Sequence, residues 1–257
     1  MPKVIINADD FGLTDGICDA IYDLFEIKAI TSTTLMTAAI GAVDRISKYN
    51  LSILPEQVGV HLQLTGGKPL SPLSNVPSLL DKRTGLFKDF RSTAVRPNID
   101  EVELEWDNQI KTAIDLLGCT PSHLDSHHGM HRRPELTPIY IKLAKKYKIP
   151  VRGALGTVGH KIRECGVPCT VALVKNWTTK SLNEEALKND IMSCIENFPM
   201  EGYIEIVTHP GFYDNELASI SSVSSSREVE YLALKKLSIE QWFLKNQMVL
   251  TTYGQLI

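Results

Sequence analysis

The sequence predicts a single α/β barrel in which parallel strands alternate with helices. Short apolar, β-branched segments alternate with segments of helical apolar periodicity about seven times, a pattern typical of a parallel sheet. Polar groups sit at or just beyond the ends of the predicted strands: Asp9, Asp10, His61, Asp125, His127, Arg152 and His209. A barrel gathers these strand ends on one face, whereas an open, doubly wound sheet would separate them. The barrel is therefore preferred.

The predicted strands are short apolar or β-branched runs bounded by turn-forming residues. They are expected at 3–7, 31–36, 58–64, 122–125, 149–152, 203–207 and 248–252. Helices are expected from i, i+3, i+4 apolar spacing at 14–28, 42–49, 99–117, 134–148, 182–198 and 227–244. Thr14 is the expected N-cap of the first helix, and Gly118 is expected to end the third.

The chain shows no internal repeat or linker, so one domain is expected over 1–257. A single α/β barrel of about 250 residues is common, and 43% hydrophobic residues provide a sizeable core. Two long loops are predicted, at about 66–98, where Pro, Ser and Gly are frequent, and at about 153–180. The serine-rich stretch 219–226 is expected to be a mobile loop.

Composition excludes several classes of partner. The formal net charge of −3 offers no attraction for nucleic acid or an anionic membrane. No apolar run approaches the ~18–20 residues of a transmembrane helix, and the N-terminus lacks a signal-peptide pattern. Five scattered cysteines do not form a disulfide framework. A cytoplasmic protein is expected.

Four of the seven histidines fall within residues 123–131. Imidazole is the commonest metal ligand and titrates near neutrality, so this density favours a metal or acid–base site over a solvent-facing polar turn. His127 is the preferred ligand, and Asp125 is a candidate to orient a ligand histidine. The alternatives are His123, His128 and His131.

Asp9 and Asp10 end the first predicted strand, where strand alternation would point them to opposite faces. An aspartate with two histidines is a familiar ligand set for a catalytic divalent cation. His61 is either a second ligand or a core histidine, and its position at a strand end favours the ligand. His209 is a candidate fourth ligand, but we prefer it as a general acid because three protein ligands leave the metal open.

Five segments resemble the YdjC-like family of carbohydrate deacetylases, which includes chitooligosaccharide (diacetylchitobiose) deacetylases. The matching blocks run in the family's order from residue 4 to about residue 230. They are Asn7-Ala-Asp-Asp-Phe-Gly12, Thr31-Ser-Thr-Thr34, Gly59-Val-His-Leu62, His123-Leu-Asp-Ser-His-His128 and His209-Pro-Gly-Phe212. Two departures are visible: Gly129 breaks the family's histidine run, and Gly211 replaces the usual alanine.

The resemblance implies a distorted, TIM-like β/α barrel akin to the polysaccharide deacetylases of carbohydrate esterase family four. It also implies a homodimer and one divalent metal held by Asp10, His61 and His127. Mg²⁺ is the metal that the family suggests, and Zn²⁺, Mn²⁺ or Co²⁺ would suit the same ligand types.

The expected reaction is hydrolysis of the N-acetyl group of an acetylated amino-sugar oligosaccharide. Asp9 is expected to act as general base and His209 as general acid, with Arg152 paired to Asp9. One alternative is another metal-dependent hydrolase, such as a phosphoesterase, which would call for more basic residues at the strand ends. The other is a non-catalytic sugar-binding protein, which would predict loss of a ligand or of the base.

Overall fold

Seven parallel strands form the centre of the fold, in a computed structural model that describes residues 1–51, 56–92, 94–153, 156–174, 184–197, 202–221, 225–236 and 239–256. They are β1 (Lys3–Phe11), β2 (Ser32–Leu35), β3 (Val58–Leu62), β4 (Leu124–Ser126), β5 (Ala172–Val174), β6 (Tyr203–Thr208) and β7 (Val249–Leu250). The sheet order is β4-β3-β2-β1-β6-β5, and β7 pairs with the start of β1.

The sheet curls until its two edges are joined through single residues. Val151 forms parallel bridges to Leu124 of β4 and to Cys169, which lies three residues before β5. The expected strand 149–152 is thus reduced to one bridging residue. Pro150 has no N–H to donate, which limits the ladder at this position. The result is a distorted α/β barrel, as predicted from the sequence.

Helices cover the outside of the sheet. They are α1 (Asp15–Glu26), α2 (Ala42–Ile46), α3 (Ile99–Leu117), α4 (Thr137–Tyr147), α5 (Gly156–Glu164), α6 (Glu184–Asn197), α7 (Asn215–Ile220), α8 (Ser225–Lys236) and α9 (Ile239–Lys245). Thr14 caps α1 by accepting a hydrogen bond from Ile17 N at 3.3 Å. Gly118 ends α3 in the left-handed region, at φ 69°. Among the described helices, none has the length and apolar character needed to cross a membrane.

The stretch 66–98 is not a simple surface loop. It contains two 3₁₀ turns, Leu73–Asn75 and Pro77–Leu79, and it packs on α3. The buried carboxylate of Glu105 accepts hydrogen bonds from Leu70 N and Ser71 N at 3.1 and 2.9 Å. The apolar residues that anchor this stretch follow no regular period, so the sequence pattern gives no sign of their burial.

Three other predictions from the sequence differ from the structure. The stretch 153–180, expected to be irregular, contains α5 and β5, while 154–155 and 175–180 lie outside the described residues. The predicted helix 227–244 is divided into α8 and α9. The serine-rich stretch contributes the end of α7 and the start of α8, with 222–224 outside the described residues. Serine is a weak helix former, but it is readily accommodated at helix ends.

Candidate active site

The end of β1 carries two buried carboxylates. Asp9 and Asp10 are 3% and 1% exposed, and the pairing of β1 with β2 shifts register between Ala8 and Phe11. Asp10 adopts φ 75°, a left-handed conformation that is uncommon for residues other than glycine. This irregularity breaks the alternation expected of a strand. Both carboxylates therefore face one site instead of opposite faces.

Asp10, His61 and His127 converge on one point. Asp10 Oδ1 lies 3.3 Å from His61 Nε2 and 3.2 Å from His127 Nδ1, and the two nitrogens lie 3.3 Å apart. Asp10 Oδ1 is buried and accepts no hydrogen bond from the described part of the chain. Ligands at about 2.1 Å from one small divalent cation have similar mutual separations. The three residues therefore fit such a cation.

The second ring nitrogen of His61 is held by Asp125. Their Nδ1 and Oδ1 atoms are 2.7 Å apart, and Thr34 Oγ1 donates to Asp125 Oδ2 at 3.2 Å. This contact turns His61 Nε2 toward Asp10 and His127. Burial lowers the pKa of His61, but the nearby carboxylates, Asp125 foremost, outweigh it and raise the pKa to about 10 in the metal-free site.

His127 is the histidine of the 123–131 segment that reaches this centre. His123 lies in the barrel interior, where its ring stacks on Tyr253 at 3.6 Å between centroids. His131 contacts Ser126 Oγ at 2.7 Å and stacks on Tyr140. His128 contacts Thr65 Oγ1 at 2.8 Å. A tight turn at His128 and Gly129, whose φ angles are 54° and 63°, points the four histidine side chains in different directions.

Arg152 forms a bidentate ion pair with Asp9. Its Nη1 and Nη2 atoms donate to the two oxygens of Asp9, and its guanidinium also pairs with Asp125 at 2.9 Å and Glu205 at 2.6 Å. Burial alone would raise the pKa of Asp9, but Arg152 overrides it and holds the pKa well below its usual range. Asn7 Nδ2 donates to Asp9 Oδ1 at 2.7 Å. Asp9 is thereby kept ionised and fixed in orientation.

His209 follows β6 and lies on the open side of Asp9. Its Nε2 atom is 3.8 Å from Asp9 Oδ2, and its side chain is 40% exposed. The structure therefore brings every predicted site residue to one face of the barrel: Asp9, Asp10, His61, His127, Arg152 and His209. Their chemical roles remain proposals.

Sequence reasoning missed several residues that support this face. Arg227 Nη2 donates to Asp10 Oδ2 at 2.6 Å from the first turn of α8. Tyr253, near the C-terminus, donates to Glu205 Oε2 at 2.5 Å inside the barrel. Glu205 offered one signal, since it is a charged residue within the apolar strand 203–207. Arg227 begins a predicted helix, so strand-end placement could not find it, whereas Tyr253 directly follows the predicted strand 248–252 and was overlooked.

The net charge of the buried side chains in the site also favours a bound cation. Asp9, Asp10, Asp125 and Glu205 are four buried acidic side chains within the described site. The buried guanidinium groups paired with them are those of Arg152 and Arg227. Carboxyl groups thus outnumber permanent cations, and a buried excess of negative charge is costly unless it is compensated. A divalent metal would provide that compensation.

The fold and site define a parallel α/β barrel with an Asp–His–His cluster at the carboxyl ends of its strands, the face on which barrel enzymes carry their active sites. A crystal structure of an Enterococcus faecalis V583 protein, described as a candidate cellobiose-phosphate cleavage protein, superposes with a TM-score of 0.87. The two chains are 29% identical, over 99% of this chain and 98% of the other. A peptidoglycan N-acetylglucosamine deacetylase, Bc1960, shares the fold at a TM-score of 0.54 and 13% identity.

Sequence comparison gives the family. The model of the YdjC-like protein family matches residues 3–245. The carbohydrate deacetylase of Thermoanaerobacter pseudethanolicus is 32% identical over 99% of both chains. That of Oceanobacillus iheyensis is 34% identical over 93% of this chain and 99% of its own. The chain belongs to the YdjC-like family of carbohydrate deacetylases.

Proposed function

We propose that this chain is a metal-dependent hydrolase that removes the N-acetyl group from acetylated amino sugars of the chitooligosaccharide type. One observation carries the proposal: the converging atoms of Asp10, His61 and His127 lie beside an Asp9 carboxylate that Arg152 holds ionised. The family and the curated relatives named carbohydrate deacetylases support the same reaction.

Asp10, His61 and His127 would hold the metal, with Asp125 fixing the ring of His61. When bound, a divalent cation polarises a carbonyl oxygen and lowers the pKa of water. Three protein ligands leave positions open for water and substrate. One aspartate and two histidines suit Zn²⁺, Mn²⁺ or Co²⁺ by ligand type, and Mg²⁺ is the metal suggested by the family resemblance.

Amide hydrolysis needs one proton removed and one delivered. Asp9 accepts a proton from the water whose oxygen bonds to the acetyl carbon. The bond between that carbon and nitrogen then breaks, and His209 in its protonated form donates a proton to the departing nitrogen. The products are acetate and a free amino sugar. Because the His209 side chain is exposed, a substrate that enters from solvent can bring its amide nitrogen to it.

The arrangement of basic residues favours deacetylation over phosphoester hydrolysis. The two guanidinium groups nearest the centre, Arg152 and Arg227, are already bound to Asp9 and Asp10. A phosphoesterase of this design would instead turn free cations toward the substrate phosphate. A non-catalytic sugar-binding protein would be expected to have lost a ligand or the base, and the proposed ligands, base and acid are all present in this chain.

The test is acetate release from diacetylchitobiose and a panel of N-acetylated sugars. Metal-stripped protein receives Mg²⁺, Zn²⁺, Mn²⁺ or Co²⁺ one at a time, and phosphate release from cellobiose phosphate is measured in parallel. We expect metal-dependent acetate release and no phosphate. Phosphate release, or no acetate from folded protein that binds metal, would refute the proposal. The homodimer implied by the family resemblance is tested separately by sedimentation equilibrium.

A further inference from the structure

One face of α8 contacts the segment that carries His209. Glu230, three residues after Arg227, accepts a hydrogen bond from His209 N through Oε2 at 2.6 Å. The carbonyl of Arg227 accepts from Gly211 N at 3.3 Å. Residues three and four apart lie on the same side of a helix, so these contacts come from a single face.

The next residue of α8 extends this contact. Tyr231 packs edge-on against the ring of Phe212, with 4.7 Å between centroids. Gly211 allows the close approach, because a Cβ at this position would lie 3.4 Å from Arg227 Cδ and 2.8 Å from Ile17 Cγ1. The segment 209–212 is therefore held against α8 by one hydrogen bond to a side-chain carboxylate, one to a backbone carbonyl, and one aromatic contact.

The same face of α8 is fixed to the metal side of the site. The Arg227 side chain is 4% exposed and donates to Asp10 Oδ2 at 2.6 Å. Tyr231 Oη donates to Asp23 of α1 at 2.7 Å. One helix thus touches both Asp10 and the backbone of His209.

Glu230 is the residue of α8 that holds the backbone of His209. It is 8% exposed, and a buried carboxylate that accepts from a backbone N–H forms a strong, well-directed hydrogen bond. The imidazole of His209 is exposed and lies 3.8 Å from Asp9. Its direction therefore depends on how firmly its backbone is held.

We propose that Glu230 is a positioning residue for His209 and that α8, anchored to Asp10 through Arg227, sets the geometry between the general acid and the metal side of the site. The inference rests on the proposed function, because it assigns His209 a proton-donating role. In this role Glu230 acts through the backbone of His209.

The test compares an amide with an ester whose leaving group needs no proton. E230M removes the acceptor and keeps the side-chain size, while E230Q keeps an acceptor oxygen. E228Q, on the exposed side of the same helix, is the matched control. We expect E230M to lower kcat for diacetylchitobiose about 10- to 100-fold with little change in KM. Hydrolysis of 4-nitrophenyl acetate should fall much less, since nitrophenolate departs without a general acid.

Two further measurements separate positioning from loss of structure. Amide hydrogen exchange at 209–212 should accelerate in E230M and remain normal in E230Q and E228Q. Calorimetric titration with Zn²⁺ should give the same affinity in all of these variants. E230Q should retain most of the amide activity, because its acceptor restores the bond to His209 N.

The outcomes distinguish the inference from the function on which it rests. Normal amide hydrolysis in E230M alongside a strongly impaired H209A would overturn the positioning role alone. An equal loss of amide and ester hydrolysis in E230M, with intact metal affinity, would also overturn it. If H209A hydrolyses the amide normally, the acid assignment fails and the inference fails with it.

Discussion

Arg152 donates two hydrogen bonds to Asp9, from Nη1 to Oδ2 at 2.8 Å and from Nη2 to Oδ1 at 2.6 Å. Both residues are almost fully buried, and they are separated by 143 positions in the sequence. A bidentate guanidinium–carboxylate pair fixes the plane of the carboxylate as well as its charge. Asp9 is thereby presented as a rigid acceptor beside Asp10, His61 and His127.

Replacement of Asp9 by asparagine should nearly abolish deacetylation. D9N keeps the shape but removes the proton acceptor, so kcat should fall by roughly 10²–10⁴. The measurement is acetate release at saturating metal, with metal affinity determined on the same preparation. Activity close to normal in D9N with metal bound would show that Asp9 is not the base.

The histidine segment provides a matched pair of substitutions. H127A removes an imidazole that lies 3.2 Å from Asp10 Oδ1, whereas H128A removes a neighbour that contacts Thr65. We expect metal affinity to fall by more than about 100-fold in H127A, since loss of a ligand exceeds the loss of a supporting contact. H128A should bind metal nearly as well as the unaltered protein. Equal losses in both variants would contradict the assignment of His127.

Metal binding should release a proton and strengthen as pH rises. The carboxylates around His61 raise its pKa to about 10 in the metal-free site, so its imidazole carries an extra proton at pH 7. Ligation requires the neutral ring, and the metal must displace that proton. The apparent affinity should therefore increase from pH 7 toward pH 10.

Calorimetry measures this proton directly. Titrations are carried out at one pH near 7.5 in buffers of different ionisation enthalpy. The slope of the observed heat against that enthalpy should correspond to about one proton released per metal bound. Identical heats in all buffers would show that His61 is already neutral before the metal binds.

The Tyr253 hydroxyl should contribute to stability from inside the barrel. It is 0% exposed and donates to the buried carboxylate of Glu205 at 2.5 Å. Y253F should lower the free energy of unfolding by about 1.5–3 kcal/mol, the range for a hydrogen bond to a charged group. Chemical denaturation of metal-free protein is the measurement.

Y203F is the control for this substitution. The Tyr203 hydroxyl also donates to an oxygen, Gln255 O at 2.6 Å, but near the surface, where water replaces the lost partner. Its removal should change stability by less than about 0.5 kcal/mol. Similar effects of Y253F and Y203F would show that burial of the Glu205 contact contributes little.

The sequence alone predicted the architecture because its signals are local. Thr14 and Gly118 carry the capping chemistry that begins α1 and ends α3, and apolar periodicity marks α3 from Ile99 to Leu117. Polar residues at the strand ends predicted the shared face, since parallel strands in a barrel end on one side. Where the apolar pattern was irregular, as in 66–98 and 153–180, burial and secondary structure were missed.

The tertiary structure decided which side chains meet. The sequence favoured His127 but left His123, His128 and His131 as alternatives, and a turn with two positive φ angles decides among them. Strand alternation predicted opposite directions for Asp9 and Asp10, but the left-handed backbone at Asp10 brings both into one site. Arg227 and Glu230 also contact that site, although each lies more than 200 positions after Asp10 in the sequence. Apolar periodicity and helix capping are properties of residues close in sequence, so the sequence alone determined the barrel. Charge pairing depends on packing between distant residues, so only the folded chain determined the chemistry of the site.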